Sequence, residues 1–561
     1  MSAPAMSATS SATVPGKSGP PPFAAMLPVD LSHSPVLGVL GVILGAGIVT
    51  LAGRLLTLGL ADLKGNVGLG VDEGAWIGSA FNVALMFIGP LTVYLGALLG
   101  TRSVLLVCAG LFTLISLYLP LVHSYSLLIV LLAIAGLTAG TFYPLTLSFA
   151  LRNVPLRYLA LTLAIYAMCI EGAVNFAPSL YGFQRDHLSW QWMFWTSAVV
   201  TPVMMACIYF GMPRSRRPSR SGPAPSFIGF LYASAGFALL FAALDQGQRL
   251  DWWRSGVFTG LFSAGIFLLL CAGVRRLRAP NPLVDLPYLR NWNTAILGVG
   301  LYAFRFCLLA TIIIIPQSLS VRGLDAAQFG PAVLWTAVAE LGFAVVAAQL
   351  LNKGIDSRLL MAFGFATIAF TCLLNANYTS AWAAENYFRS ELLMGVGQIF
   401  AMVGLVGTIV LQAMLSGGLD SPYRVLTFSA FFHVVRLFGG QVGVALMGHF
   451  IAEREKLHSF LLGLHVQPGS WLTTQTITEL THGLAAKSTG VAAAAGRAVG
   501  ITAGSVRMQA YALSFIDAFH LVAWTCLAAL LLAVMLRRLP MSFRDLRAVT
   551  AEIPSRTNDK P

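Results

Sequence analysis

Residues 36–60 read VLGVLGVILGAGIVTLAGRLLTLGL, a run of twenty-five with one ionisable side chain, Arg54. A helix needs roughly 20 apolar residues to cross the ~30 Å hydrocarbon core of a bilayer, because every backbone amide there must be satisfied within its own segment. The pattern recurs near 76–98, 103–122, 125–148, 157–181, 190–211, 226–244, 255–274, 293–315, 329–351, 358–375, 391–415, 427–450 and 514–536. Fourteen such spans predict an all-α integral membrane protein. Most connections are short, which makes successive helices antiparallel neighbours.

Composition agrees. Of 561 residues, 57% are hydrophobic and only 10% charged, against roughly 25% charged in soluble domains. An ordinary globular enzyme is excluded. The net charge of +13 is not gathered into a basic patch interleaved with aromatics, so nucleic acid is not an expected partner; lipid and topology account for the charge better. All seven cysteines fall inside apolar stretches, where a thiol behaves as a small hydrophobe. They show neither metal-ligand nor disulfide spacing. No G-x-S-x-G, P-loop or H-E-x-x-H motif is present, so neither an enzyme activity, a cofactor nor a metal is expected, and the proton gradient is the default energy source.

Loop charges orient the bundle by the positive-inside rule. With the N-terminus inside, the inner loops carry fourteen basic residues: Arg102, Arg152, Arg157, Arg214, Arg216, Arg217, Arg220, Arg275, Arg276, Arg278, Arg290, Lys353, Arg358 and Arg424. The outer loops carry six, Lys64, Arg185, Arg249, Arg254, Arg322 and Arg389. Both termini are therefore expected in the cytoplasm. Residues 1–34, rich in Ser, Ala, Pro and Gly, read as a disordered cytoplasmic tail, and 539–561 as a cytoplasmic tail.

A Pro/Arg/Ser-rich linker after six spans divides the chain. The expected organisation is a six-helix bundle at 35–212, a linker with two inserted helices at 213–292, and a second six-helix bundle at 293–538. The last bundle includes a polar outer loop at 451–512. Transporters are commonly built from related halves with the binding site at their interface.

Several segments resemble the major facilitator superfamily: WIGSAFNVA at 76–84, WQWMFW at 190–195, and NPLVDL at 281–286 followed by YLRN at 288–291. Residues 431–445 (FFHVVRLFGGQVGVA), then Arg454, Glu455 and His458, RMQA at 507–510 and DAF at 517–519 resemble its fourteen-helix drug:proton antiporter branch, the EmrB-type multidrug exporters. The resemblance implies the major facilitator fold, two six-helix bundles plus two inserted helices. It also implies alternating access and proton-coupled export of small amphipathic compounds from a bacterial inner membrane. A periplasmic adaptor protein and an outer-membrane channel become expected partners. The chain departs from the family pattern at Ala97, where the loop acid would stand, and at Leu132, where helix four carries an arginine. The helix-five motif survives in part as Ala177-Pro178 and Tyr181-Gly182, and the helix-one acid is absent.

Ionisable groups near a helix centre cost about 2.5–3.5 kcal/mol each on insertion scales, which makes them candidates for function. They are Arg54, Glu171, Arg305, Glu340 and Arg436, with His433 one turn from Arg436. Glu171 and Glu340 are the proton-coupling candidates. The family architecture makes helices one and nine equivalent pathway-lining elements, which assigns Arg54 and Arg305 to the substrate pathway. A structural pairing of Arg54 with Glu171 and of Arg305 with Glu340 is the competing reading, and the two can coexist. Thr138, Thr141, Tyr143 and Gln398 are further pathway candidates. Arg436, Pro178, Gly439 and Gly440 are expected to serve packing or gating, since small residues permit close helix contact. Asp72, Glu73 and Asp517 read as solvated loop or cap residues. Competing functions are an exporter or importer specific for organic anions, and a non-transporting membrane receptor or scaffold.

Overall fold

The structure is a computed structural model that describes residues 35–213, 227–278, 291–467, 469–488 and 490–546. The 1–34 tail, linker residues 214–226, the NPLVDL stretch with Arg290, and residues 547–561 lie outside the described residues. Fourteen helices among the described residues are long and apolar enough to span a membrane. They are α1 Val36–Val67, α2 Val71–Leu99, α3 Thr101–Leu121, α4 Tyr125–Asn153, α5 Leu156–His187, α6 Trp192–Gly211, α7 Phe227–Gln246, α8 Gly256–Arg275, α9 Trp292–Ser320, α10 Ala326–Asn352, α11 Ser357–Asn375, α12 Ala384–Leu415, α13 Pro422–Gly463 and α14 Val491–Met535.

Helices α1–α6 pack among themselves, as do α9–α14, and the two groups meet chiefly where α5 lies along α10, with α2 and α4 against α13. The inserted α7 packs on α2, α13 and α8. Close approach at these seams is set by glycine. A Cβ on Gly182 of α5 would lie 2.4 Å from the Ala327 Cα of α10, and one on Gly330 of α10 would lie 2.7 Å from the Ser179 nitrogen of α5. Only a bare backbone fits at those two positions. An even number of spans puts the start of α1 and the end of α14 on one side, here the terminus side.

The segment 451–512, read as a loop, is largely helical. Helix α13 runs 42 residues and α14 runs 45; at ~1.5 Å per residue each is roughly 65 Å long, about twice the hydrocarbon thickness. Their excess length, with the short helix Trp471–Ala485 packed on α14, forms a hairpin beyond the bundle. The sequence masks it because the segment is polar and Ala/Gly-rich, whereas the helices persist by packing on each other. Asp517, read as a solvated loop or cap residue, instead pins the hairpin base. Its carboxylate accepts from Arg454 Nε at 2.5 Å and lies 2.7 Å from His458 Nε2, while Arg507 pairs with Glu455 at 3.4 Å. Those residues belong to the segments that carried the family resemblance.

Two interruptions break the helical ladders at mid-depth. Helix α4 pauses between Ala139 and Phe142, just before Pro144, which has no N–H to offer the preceding turn. Helix α9 widens into a π turn at Ala310–Ile314. Such turns are rare and are frequent at functional sites.

Candidate functional site

The ionisable residues singled out from the sequence converge on one level at the seam between the bundles. Arg305 of α9 faces Glu171 of α5, with Nη1 and Oε1 3.7 Å apart; Glu171 is 1% exposed. That contact is an ion pair without a hydrogen bond. Arg54 of α1 donates from Nη2 to the Ile312 carbonyl of α9 at 2.9 Å. The α-helical donor to that carbonyl would be residue 316, a proline, so Pro316 withholds the usual N–H and the guanidinium supplies another. The pairing anticipated from sequence, Arg54 with Glu171 and Arg305 with Glu340, is therefore not formed. Helix rotation decides it: Arg54 points at the π turn, and Glu171 at Arg305.

Glu340 of α10 accepts from the Asn175 amide of α5 at 3.0 Å. Asn175 also reaches the Gln398 side-chain oxygen of α12 at 3.2 Å, and the Gln398 amide donates to the Thr311 hydroxyl within the π turn at 3.1 Å. A polar chain thus runs from Glu340 through Asn175 and Gln398 to α9, linking both bundles. On its other flank, the Arg436 guanidinium of α13 stacks over the Tyr143 ring of α4, 4.8 Å from its centroid. The His433 ring lies 5.0 Å from the same tyrosine ring. Gly440, expected to permit close helix contact, leaves room for Arg305: a Cβ there would lie 3.0 Å from its Nη2. Gly439 does the same for Tyr302, and Pro178 lies beside Gly330 at the α5–α10 crossing.

Thr138 and Thr141 are not part of the cluster by their hydrogen bonds. Both hydroxyls are spent on carbonyls of their own segment. Of the outer acids, Glu73 caps its helix by accepting from the Gly70 N–H at 3.0 Å, whereas Asp72 pairs with Arg249.

Many polar atoms of the cluster have no hydrogen-bond partner among the described residues. They are Arg54 Nε, Arg305 Nε and Nη1, Arg436 Nε, Tyr143 Oη, both His433 nitrogens, Glu171 Oε1 and Glu340 Oε2. A buried polar group without a partner costs about 1–3 kcal/mol, so such a concentration marks a place where water or a ligand completes the bonding.

Two acids, one buried and one partly buried, were missed from sequence. Glu391 of α12 is fully buried and accepts from the Thr336 hydroxyl at 2.8 Å. Asp245 of α7 accepts from the Gln441 amide of α13 at 3.0 Å and from Ser79 of α2. Each stands at the edge of an apolar run, where hydropathy alone places a boundary.

Residues 42–444 match the Major Facilitator Superfamily. The chain belongs to that superfamily. Among curated relatives it is 25% identical over 423 residues to the fatty acid resistance protein FarB of Neisseria gonorrhoeae, covering 75% of this chain and 81% of that one. It is 25% identical over 448 residues to the multidrug export protein EmrB of Haemophilus influenzae, covering 77% and 84%. It is 22% identical to the colistin resistance protein EmrB of Acinetobacter baumannii, covering 76% and 82%. Solved structures with the same fold include the human organic anion transporter MFSD10, with a TM-score of 0.50 at 13% identity over 88% of this chain and 99% of that one. The proton:xylose symporter XylE has a TM-score of 0.50 at 13% identity, covering 92% and 98%.

Proposed function

We propose that this superfamily member is a proton-coupled secondary transporter that exports small amphipathic compounds by alternating access. The observation that carries this is the composition of the central cluster. Its contacts Arg54–Ile312, Arg305–Glu171, Asn175–Glu340 and Arg436–Tyr143 each join one bundle to the other. Rocking the bundles apart on either side must break some of these contacts. The proton affinity of a carboxyl depends on its cationic partner and on its access to water, and both would alternate for Glu171 and Glu340. Glu171 and Glu340 are the proposed proton carriers, with Arg54, Arg305, Tyr143 and Gln398 lining the pathway. The names of the relatives, for resistance to fatty acids, multidrug export and resistance to colistin, support amphiphiles as cargo.

The charge asymmetry of the loops supports a bacterial inner-membrane location with both termini in the cytoplasm, which makes the hairpin side periplasmic. The hairpin formed by α13, α14 and the helix between them is the proposed seat of a periplasmic adaptor protein leading to an outer-membrane channel.

The test is substrate-induced proton movement in inverted vesicles, comparing wild type with Glu171→Gln and Glu340→Gln. Proton release with a subset of amphiphiles, lost in either variant at unchanged protein level, is the expected result. Unchanged proton release in both variants overturns the coupling assignment, and absence of any response in wild type favours a scaffold.

A further inference from the structure

Glu391 of α12 has no part in the central cluster and no cation to neutralise it. It is wholly buried; one carboxylate oxygen accepts from the Thr336 hydroxyl of α10 at 2.8 Å, and the other, Oε1, has no hydrogen-bond partner. Its titratable neighbours are Glu340 of α10, Cys372 of α11 and Tyr387 of its own helix, and among the described residues no Lys, Arg or His forms an ion pair with it. Asn375 of α11, also beside it, is buried with both side-chain polar atoms unpartnered. An acid buried without a cation is expensive to keep, and chains of such acids mark proton relays in membrane pumps and transporters.

Glu391 stands between Glu340 and the hairpin side. It lies about two turns inside the hairpin-side end of α12, and Glu340 about four turns inside that of α10. Thr336 fills the interval, one turn before Glu340 on the same face of α10. Gly395, one turn after Glu391, leaves no room for a Cβ against the Thr336 carbonyl, so α10 and α12 are in backbone contact at this level. Toward the surface, one turn before Glu391, the Tyr387 hydroxyl lies 3.1 Å from that of Ser318, and Tyr378 donates to the Ser318 carbonyl at 3.1 Å. The seam between the bundles offers Glu340 no such path, because Gly330 seals α10 onto α5 on the hairpin side of it. The polar column therefore runs inside the second bundle, and a proton on it needs no separation of the two bundles.

We infer that Glu391 is a proton-relay residue, passing protons between the hairpin side and Glu340 by way of Thr336. A hydroxyl both donates and accepts. Protonated Glu391 gives its proton to the Thr336 oxygen as the hydroxyl's own proton leaves, through a water in the one-turn gap, for Glu340 Oε2. The negative charge moves from Glu340 to Glu391, and no other group changes. The unpartnered atoms Glu391 Oε1, Glu340 Oε2 and the Asn375 amide supply the polar partners that a buried water requires. Asn175, which holds the other Glu340 oxygen, comes from the first bundle, so the bundle arrangement sets how freely Glu340 turns to the relay. The inference rests on the exporter reading, in which Glu340 carries the proton.

The test uses full-length protein in lipid nanodiscs, with infrared detection of the carboxyl C=O bands after a jump from alkaline to acidic pH. The Glu340 band is the one that Glu340→Gln removes. Its rise should be at least tenfold slower in Glu391→Gln and in Thr336→Val, with the final amplitude unchanged. Glu391→Asp, which keeps the carboxyl, should recover most of the lost rate. A purely structural role would alter the amplitude or the midpoint pH and leave the rate alone. Thr336→Val, nearly the same in volume, carries the comparison where Glu391→Gln fails to fold. A wild-type rate in both variants overturns the relay while leaving the exporter reading standing, and so does a change confined to amplitude or midpoint. Absence of any Glu340 band in wild type overturns both the relay and the proton-carrier assignment beneath it.

Discussion

Along α5 and α10 the two bundles touch backbone to backbone, whereas along α2 and α13 a third helix is wedged between them on the hairpin side. The first seam is made of small residues: Gly182 against Ala327, and Gly330 against Pro178 and Ser179. The second has its own direct contact, Gly89 against Val434 and His433. It also has a polar clamp, in which Asp245 of α7 takes Ser79 of α2 and Gln441 of α13 while Gln246 donates to the Ala75 carbonyl. A glycine contact is all-or-nothing, because no side chain can shift to make room. A hydrogen-bonded clamp can be released and remade. The two seams therefore suit different tasks: a close-fitting stop along α5–α10, and a strap that ties the inserted helices to both bundles.

Filling the glycine seam should have the largest effect. Gly330→Leu places a side chain where 2.7 Å separates it from backbone, and overpacking costs typically 1–3 kcal/mol. Transport should fall about tenfold or more, and spin labels at Phe183 and Gln328, both exposed, should report a longer α5–α10 distance. An unchanged distance would show that this seam does not close the hairpin side. Cutting the clamp comes next. Asp245→Ala leaves Ser79 and Gln441 without their shared acceptor, a loss of about 1–3 kcal/mol that should reduce transport several-fold while leaving the Phe183–Gln328 distance alone. If that distance shifts as it does in Gly330→Leu, the two seams act as one.

The smallest effect belongs to the ion pair over the glycine seam. Arg185 Nη2 lies 2.7 Å from the Asp325 carboxylate, both partly exposed. Exposed pairs contribute roughly 0–1 kcal/mol, so Arg185→Ala should change transport less than about threefold. Its hydrogen bond from Arg185 holds the Asp325 carboxyl below the usual carboxylate range. A depressed native value means that the contribution is complete above the unfolded value, about 3.9, and is lost only as pH falls through the lower native one. Between pH 5 and 8 the effect of Arg185→Ala should therefore be constant, and a change within that window would show that another group titrates at this seam.

Much of this was legible in the chain. Fourteen apolar runs gave fourteen spans, and Arg54, Glu171, Arg305, Glu340 and Arg436 stood out because charge in a long apolar run is costly to bury. Residues 431–445 and 517–519 carried the family. Asp245 and Glu391 were not legible, since each ends or begins an apolar run and a one-dimensional profile cannot distinguish a buried end from a wet one. The hairpin was missed for a related reason: its helices are polar, and packing of one on another keeps them folded.

By itself the sequence determined how many times the chain crosses the membrane and which charges lie at mid-depth, because desolvating a backbone or a charge is costly whatever its neighbours. Only the tertiary structure decided which charge meets which. Rotation of a helix by 100° per residue redirects a side chain without altering its depth, so Arg54 reached the carbonyl that Pro316 leaves free, and Glu171 was left to Arg305. Partner choice across a seam is set by the packing of other helices, and the spacing of residues along one helix does not contain it.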